Sequence, residues 1–284
     1  MNYQISKSGK NPPKKSNNSL DPSEIQLLEN MQKIRHKIVV MSGKGGVGKS
    51  TVSANLAISF AKKNKKVGIL DADIHGPSIP SLLGVKHANP KIVNQKIQPV
   101  FNSLDIRVVS IDFFLPDLGS PVIWRGPLKM RALKQFLSDV EWDELDYLIV
   151  DLPPGTGDEP LSILQLIKDL DGVIMITIPS DLSQHVVTKA INMVNELKVP
   201  IIGLIENMSG FVCPKCKTSF DILGKNGGEV LAEEYHINFL GKIPLDPLIS
   251  ENADLGKSIL VENQESISSK AINLIIDRII KIIE

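Results

Sequence analysis

The chain has 284 residues, 42% hydrophobic and 23% charged, with 32 Lys and Arg against 32 Asp and Glu. That length suits one large α/β domain, or two small ones, with a sizeable buried core. The even charge leaves no overall footprint for nucleic acid, and no run of roughly 18 apolar residues offers a membrane span. The chain does not open on the apolar stretch of a secretory signal. Its two cysteines, Cys213 and Cys216, are too few for a disulfide framework, which points to a reducing, cytoplasmic setting.

Residues Met1 to Leu20 are rich in Lys, Ser, Asn and Pro and carry no acidic residue. They read as a disordered polar tail; a transit peptide is the rival reading, opposed by the absence of Arg and of an amphipathic pattern. From 21 to 284 the chain reads as a single domain. Asp21 as cap, Pro22 at the first helical position and Glu24 completing a capping box start a helix, with Ile25, Leu28 and Met31 on its apolar face. Short apolar runs then predict strands at Lys37–Met41, Val67–Leu70, Ile106–Ile111, Tyr147–Val150, Val173–Ile178, Ile201–Ile205 and Phe239–Ile243. Helical segments separate most of them. Near-continuous apolar strands alternating with helices mean a doubly wound, mostly parallel α/β sheet covered on both faces. Ligands of such sheets bind at the carboxyl ends of the strands. The stretch Lys91–Ile111 reads as an inserted hairpin.

Gly43-Lys44-Gly45-Gly46-Val47-Gly48-Lys49-Ser50 fits the phosphate-loop pattern G-x-x-x-x-G-K-[ST], between a strand and a helix of about Ser50–Asn64. Glycines let the backbone wrap an anion, and the N–H groups of the loop and of the helix start, Thr51 included, face the phosphates. Lys49 is expected on the β- and γ-phosphates and Ser50 on Mg²⁺. Lys44 is not demanded by the general pattern. It marks a resemblance to the deviant P-loop ATPases, which include MinD, ParA, the arsenite-pump ATPase and the nitrogenase iron protein. That resemblance implies a dimer in which Lys44 reaches the partner's nucleotide and acts as an arginine finger does, worth on the order of 10³–10⁵ in rate.

Asp71 and Asp73 follow one predicted strand and Asp151 another, where Mg²⁺ and an attacking water must be organised. In the pattern of these ATPases, Asp73 orients the water and Asp151 supports the metal. Pro153-Pro154-Gly155-Thr156-Gly157-Asp158 resembles their second switch loop. No N-K-x-D motif for guanine is present, Asn207 at a strand end suits adenine, and Pro244 to Pro247 would wall the base. ATP is therefore expected over GTP.

The segments Asp71–Pro80, Trp124–Pro127, Asp151–Asp158 and Glu206–Ser209 together resemble the Mrp/ApbC family of iron–sulfur cluster carriers, from about His36 to the C-terminus. The resemblance implies ATP, Mg²⁺ and a [4Fe–4S] cluster as cofactors. It implies a homodimer as the working form, apo iron–sulfur proteins as recipients, and a scaffold or donor as the cluster's source. Many bacterial members carry an extra N-terminal domain, and eukaryotic cytosolic relatives a four-cysteine N-terminal site. Here no cysteine precedes Cys213, so only the ATPase core and the later cysteine pair carry over. Trp124 and Arg125 read either as a buried pair or as a delivery surface. His75 reads as structural, and His36, His87, His185 and His236 have no ligand spacing with the cysteines.

Cys213-Pro214-Lys215-Cys216 admits half a zinc site, a redox dithiol, or half a cluster site. One chain supplies two of the four ligands that either metal site needs. A two-fold axis repeats the same patch and supplies the others, which suits a bridging cubane. The rival functions are a MinD/ParA-like positioning or partitioning ATPase and an electron-transfer protein. The Ile-rich helix expected at Ile267–Glu284 mixes acidic and basic residues on its polar face. That pattern reads as a closing helix rather than a membrane-surface one, and no membrane or nucleic-acid partner is expected.

Overall fold

A computed structural model describes residues 21–115 and 126–284. The polar tail and the Trp124–Arg125 pair lie outside the described residues. The strands are β1 Ile34–Ser42, β2 Val67–Asp71, β3 Ile92–Val93, β4 Lys96–Ile97, β5 Val100–Phe101, β6 Arg107–Ser110, β7 Leu145–Asp151, β8 Gly172–Thr177, β9 Ile201–Glu206, β10 Phe211–Val212, β11 Ser219–Phe220 and β12 Phe239–Lys242. Each expected strand forms. The expected hairpin is the small antiparallel pair β3–β4, followed by β5, which runs antiparallel to β6 at the sheet edge.

The helices are α1 Pro22–Gln32, α2 Lys49–Lys62, α3 Ile79–Leu82, α4 Gly126–Ser138, α5 Asp158–Leu166, α6 Asp181–Glu196, α7 Gly227–Glu234, α8 Pro247–Asp254, α9 Ile259–Glu262 and α10 Ile267–Ile283. Asp21 caps α1 as expected, although its carboxylate is met by the Ser23 N–H at 3.4 Å and the Ser23 hydroxyl at 2.7 Å rather than through a box closed by Glu24.

The central sheet has eight strands in the order β12-β9-β8-β1-β7-β2-β6-β5, parallel except for β5. After β1 the chain crosses through α2 to β2, and β7 later fills the gap between them. The carboxyl ends of β1, β2 and β7 therefore lie side by side at the place where the chain turns to both sides of the sheet, which is where such folds bind ligands. One face is covered by apolar residues of α1, α4, α5, α6 and α7, the other by those of α2, α3, α9 and α10. α10 buries Ile272, Ile275, Ile276 and Ile279. At about 1.5–3 kcal/mol for each fully buried aliphatic side chain, that face ties α10 to the sheet.

β1 starts three residues earlier than its apolar run suggests, because its charged residues are accommodated individually. Lys37 is buried, and its ammonium donates to the carbonyls of Ile34 and Met31 at 2.9 and 3.4 Å. A cation is favoured there, at the C-terminal end of α1. His36 stacks on Tyr147 and bonds Asp171 at 2.8 Å.

Candidate nucleotide site and cysteine knuckle

The phosphate loop leaves β1 and returns as α2. A Cβ on Gly43 would stand 2.5 Å from the Val186 backbone of α6, so no side chain fits there. Gly48 caps α2 in the left-handed region at φ 78°, where glycine carries no steric penalty. Lys49 is the first residue of α2, and its ammonium bonds Asp151 Oδ2 at 2.7 Å; the two side chains are 6% and 0% exposed. The Ser50 hydroxyl donates to the same oxygen at 2.6 Å, and the Ser53 hydroxyl donates to Asp151 Oδ1 at 2.6 Å. Ser53 lies one helical turn beyond Lys49 on the same face of α2. Ser50 and Asp151 thus place two hard oxygen donors together beside the loop, the donor type that Mg²⁺ takes.

The strand-end aspartates divide into different roles. Asp71 pairs in register with Asp151 across β2 and β7. Its carboxylate accepts the N–H groups of Asp73, Ser78 and Ile79 at 3.2, 3.0 and 3.1 Å and the Ser110 hydroxyl at 3.3 Å. Burial, and then the neighbouring Asp151 charge, push its pKa up to about 8. Asp71 therefore holds the shape of the loop that carries Asp73. Asp73 is part-buried and accepts the Gly76 N–H at 3.2 Å.

A cavity of about 190 Å³ opens beside Gly48 and Thr51 and is lined by Asn207, Pro244, Leu245, Ile249 and Ile275 among others. Its apolar walls and few polar groups suit a flat base. The Asn207 amide donates from Nδ2 to the Val47 carbonyl at 2.8 Å, which pins the phosphate loop to the end of β9. Lys44 is part-buried, and among the described residues its ammonium has no hydrogen bond or ion pair. The second switch loop is tied to β1 by Gly155 N–H donating to the Ser42 carbonyl at 2.9 Å.

Cys213 and Cys216 sit on a knuckle between β10 and β11. The Cys213 N–H donates to the Thr218 carbonyl, and the Lys217 N–H to the Cys213 carbonyl, each at 2.9 Å. Cys213 is part-buried and Cys216 exposed. The Thr218 hydroxyl lies 3.3 Å from Cys216 Sγ. Hydrogen bonds from that hydroxyl, from the Thr218 N–H and from Cys213 lower the Cys216 thiol to about 7. A cavity of about 350 Å³ adjoins Cys213 and shares the wall Pro244, Leu245 and Asp246 with the base pocket. The knuckle is joined to that wall by the Ser209 N–H on the Ile243 carbonyl at 2.9 Å and the Leu245 N–H on the Gly210 carbonyl at 2.8 Å. Among the described residues no group of three or more His, Cys, Asp or Glu is arranged to hold a metal.

A family model described as the NUBPL iron-transfer P-loop NTPase matches residues 33–280. The chain belongs to this family. The iron–sulfur cluster carrier protein of Methanocaldococcus jannaschii is 50% identical over 265 residues, 93% of this chain and 91% of that one. A nucleotide-binding protein from Archaeoglobus fulgidus, solved in complex with ADP, superposes with a TM-score of 0.75 at 42% identity, covering 86% of this chain and 94% of that one. MinD of Pyrococcus furiosus superposes with a TM-score of 0.64 at 20% identity, over 87% of this chain and 99% of that one, and shares the fold. The chain is thus a P-loop NTPase of the iron–sulfur carrier family.

Three residues escaped the sequence reading. Ser53 carried a signal in its helical spacing from Lys49. Thr218 had none, because only closure of the knuckle brings its hydroxyl to Cys216. Lys129 had none either: it stands in the first turn of α4, buried, and bonds Glu159 Oε1 at 2.9 Å and His75 Nε2. His75, read as structural from the sequence, thus meets a lysine of α4.

Proposed function

We propose that this protein hydrolyses ATP and carries a [4Fe–4S] cluster, held by Cys213 and Cys216 of two chains, to apo iron–sulfur proteins. One observation carries the reading: a knuckle with one part-buried and one exposed thiol shares the wall Pro244, Leu245 and Asp246 with the pocket beside the phosphate loop. A cubane takes four thiolates, and an isologous dimer repeats each pair once. The cluster is cargo, received from a scaffold or donor and released to a recipient. Two free thiols, one of them exposed, fit a reducing cytoplasm.

In the nucleotide site, Lys49 would neutralise the β- and γ-phosphates, and Ser50 with Asp151 would hold Mg²⁺, which would supply further charge neutralisation. Asp73 orients the attacking water. Lys44, uncommitted in its own chain, reaches the partner's nucleotide. Asn207 gives one of its two amide N–H groups to Val47, which holds the amide in place and leaves its Oδ1 as an acceptor toward a base. That oxygen matches the amino group of adenine.

Anaerobic reconstitution tests the reading. It should give about four irons and four sulfides per dimer, lost in Cys213→Ser and in Cys216→Ser while ATP binding remains. The loaded protein should pass its cluster to an apo-acceptor. One tightly bound zinc per dimer, with no iron after reconstitution, would refute the carrier reading.

A further inference from the structure

We infer that Lys129 is a positioning residue that clamps the two loops flanking the γ-phosphate position, so that they move together during hydrolysis. His75 lies two residues beyond Asp73 in the loop between β2 and α3, and Glu159 lies two residues beyond Gly157 at the start of α5. Those loops are far apart in sequence, and the Lys129 ammonium meets both. It donates to Glu159 Oε1 at 2.9 Å and to His75 Nε2, while its side chain is 10% exposed.

The chemistry makes this a coupling rather than a plain anchor. An ammonium has three donors and no acceptor, and a buried one is tolerated only while its donors are met. Glu159 is its carboxylate partner, and the Lys129 hydrogen bond holds that carboxyl below its usual range. His75 is the second acceptor, on the other loop. If one loop shifts without the other, Lys129 keeps its burial and loses a partner. Independent motion of the loops is thereby disfavoured and joint motion is not. Among the described residues Lys129 has no hydrogen bond or ion pair with the phosphate loop, so it acts through the backbone that carries Asp73 and Gly157.

The inference rests on the reading that the Lys49 site hydrolyses ATP, and the test separates the two. Steady-state ATPase is measured for the wild type, Lys49→Ala, Lys129→Met, His75→Ala and the Lys129→Met/His75→Ala double variant, with urea midpoints for each. Lys129→Met should lower kcat about tenfold with KM for ATP within about twofold. His75→Ala should lower kcat severalfold, and the double variant should be no slower than the slower single one, because coupled residues do not add. Should Lys129→Met fail to fold, His75→Ala, which alters an exposed side chain, carries the same expectation. Effects of the two substitutions that multiply in kcat, an unchanged kcat in His75→Ala, or a loss confined to KM or to the urea midpoint would overturn the clamp. A wild type without Lys49-dependent turnover would overturn the underlying reading, and the clamp with it.

Discussion

Asp71 and Asp151 stand opposite each other at the ends of adjacent parallel strands, yet one is bonded by three backbone N–H groups and a hydroxyl and the other by an ammonium and two hydroxyls. The Lys49 cation pairs with Asp151, while burial and the neighbouring Asp151 charge make Asp71 take up a proton more readily. The folded protein then binds a proton that the unfolded chain, with Asp71 near its ordinary 3.8, releases. The stability linked to that proton is fully present below pH 3.8 and is lost as pH rises through about 8. Urea midpoints should therefore fall between about pH 4 and pH 8 and level off above, and Asp71→Asn, which cannot ionise, should gain on the wild type over that interval. Parallel curves for the two proteins would show that Asp71 carries no such proton.

Lys49→Ala removes the cation of a buried pair and leaves the Asp151 charge with hydroxyl partners only. Loss of one partner in such a pair costs about 3 kcal/mol or more. The variant should fold with a lower urea midpoint, bind ATP weakly and hydrolyse none. Adding Asp151→Asn should recover part of the stability and none of the activity. Turnover at the wild-type rate in the purified single variant would remove Lys49 from the site.

Lys44→Ala should leave ATP binding in place and slow turnover. Mixing it with chains disabled by Lys49→Ala sorts the mechanism: a trans-acting lysine restores activity in mixed dimers, where each chain supplies what the other lacks. Mixed samples no more active than the average of their parents would restrict Lys44 to its own subunit.

Asn207→Ala frees the Val47 carbonyl and opens one wall of the base pocket. One buried hydrogen bond is worth about 1–1.5 kcal/mol, so ATP affinity should weaken about tenfold. Equilibrium binding at wild-type strength would mean that the base lies elsewhere.

Cys216, with its thiol near 7, should be alkylated faster than Cys213 in the metal-free protein, at a rate rising through neutral pH. Thr218→Val removes the hydroxyl that stabilises the thiolate and should move the midpoint upward. A pH–rate profile unchanged by that substitution would assign the effect to another group.

Much of this molecule is legible from residues close together in sequence. The strands follow from apolar, β-branched runs, the start of α1 from Asp21 and Pro22, and the phosphate loop from Gly43 to Ser50. The knuckle follows from two cysteines three positions apart. Each is decided by backbone preferences and contacts within a few residues, which a local pattern records. Family membership was legible for the same reason, since the motif segments are each short and contiguous.

The tertiary structure alone decided which groups meet. β7 inserts between β1 and β2 after a long excursion of the chain, and that crossing brings Asp151 to Lys49 and sets Asp71 beside it without a cation of its own. The same packing brings Lys129 to His75, 54 residues away, and to Glu159, 30 residues away. It also makes Pro244, Leu245 and Asp246 a wall common to the base pocket and the cysteine knuckle. Periodicity records which face of an element is buried. It carries no information about the order in which a parallel sheet collects its strands, and the partners at every strand end depend on that order.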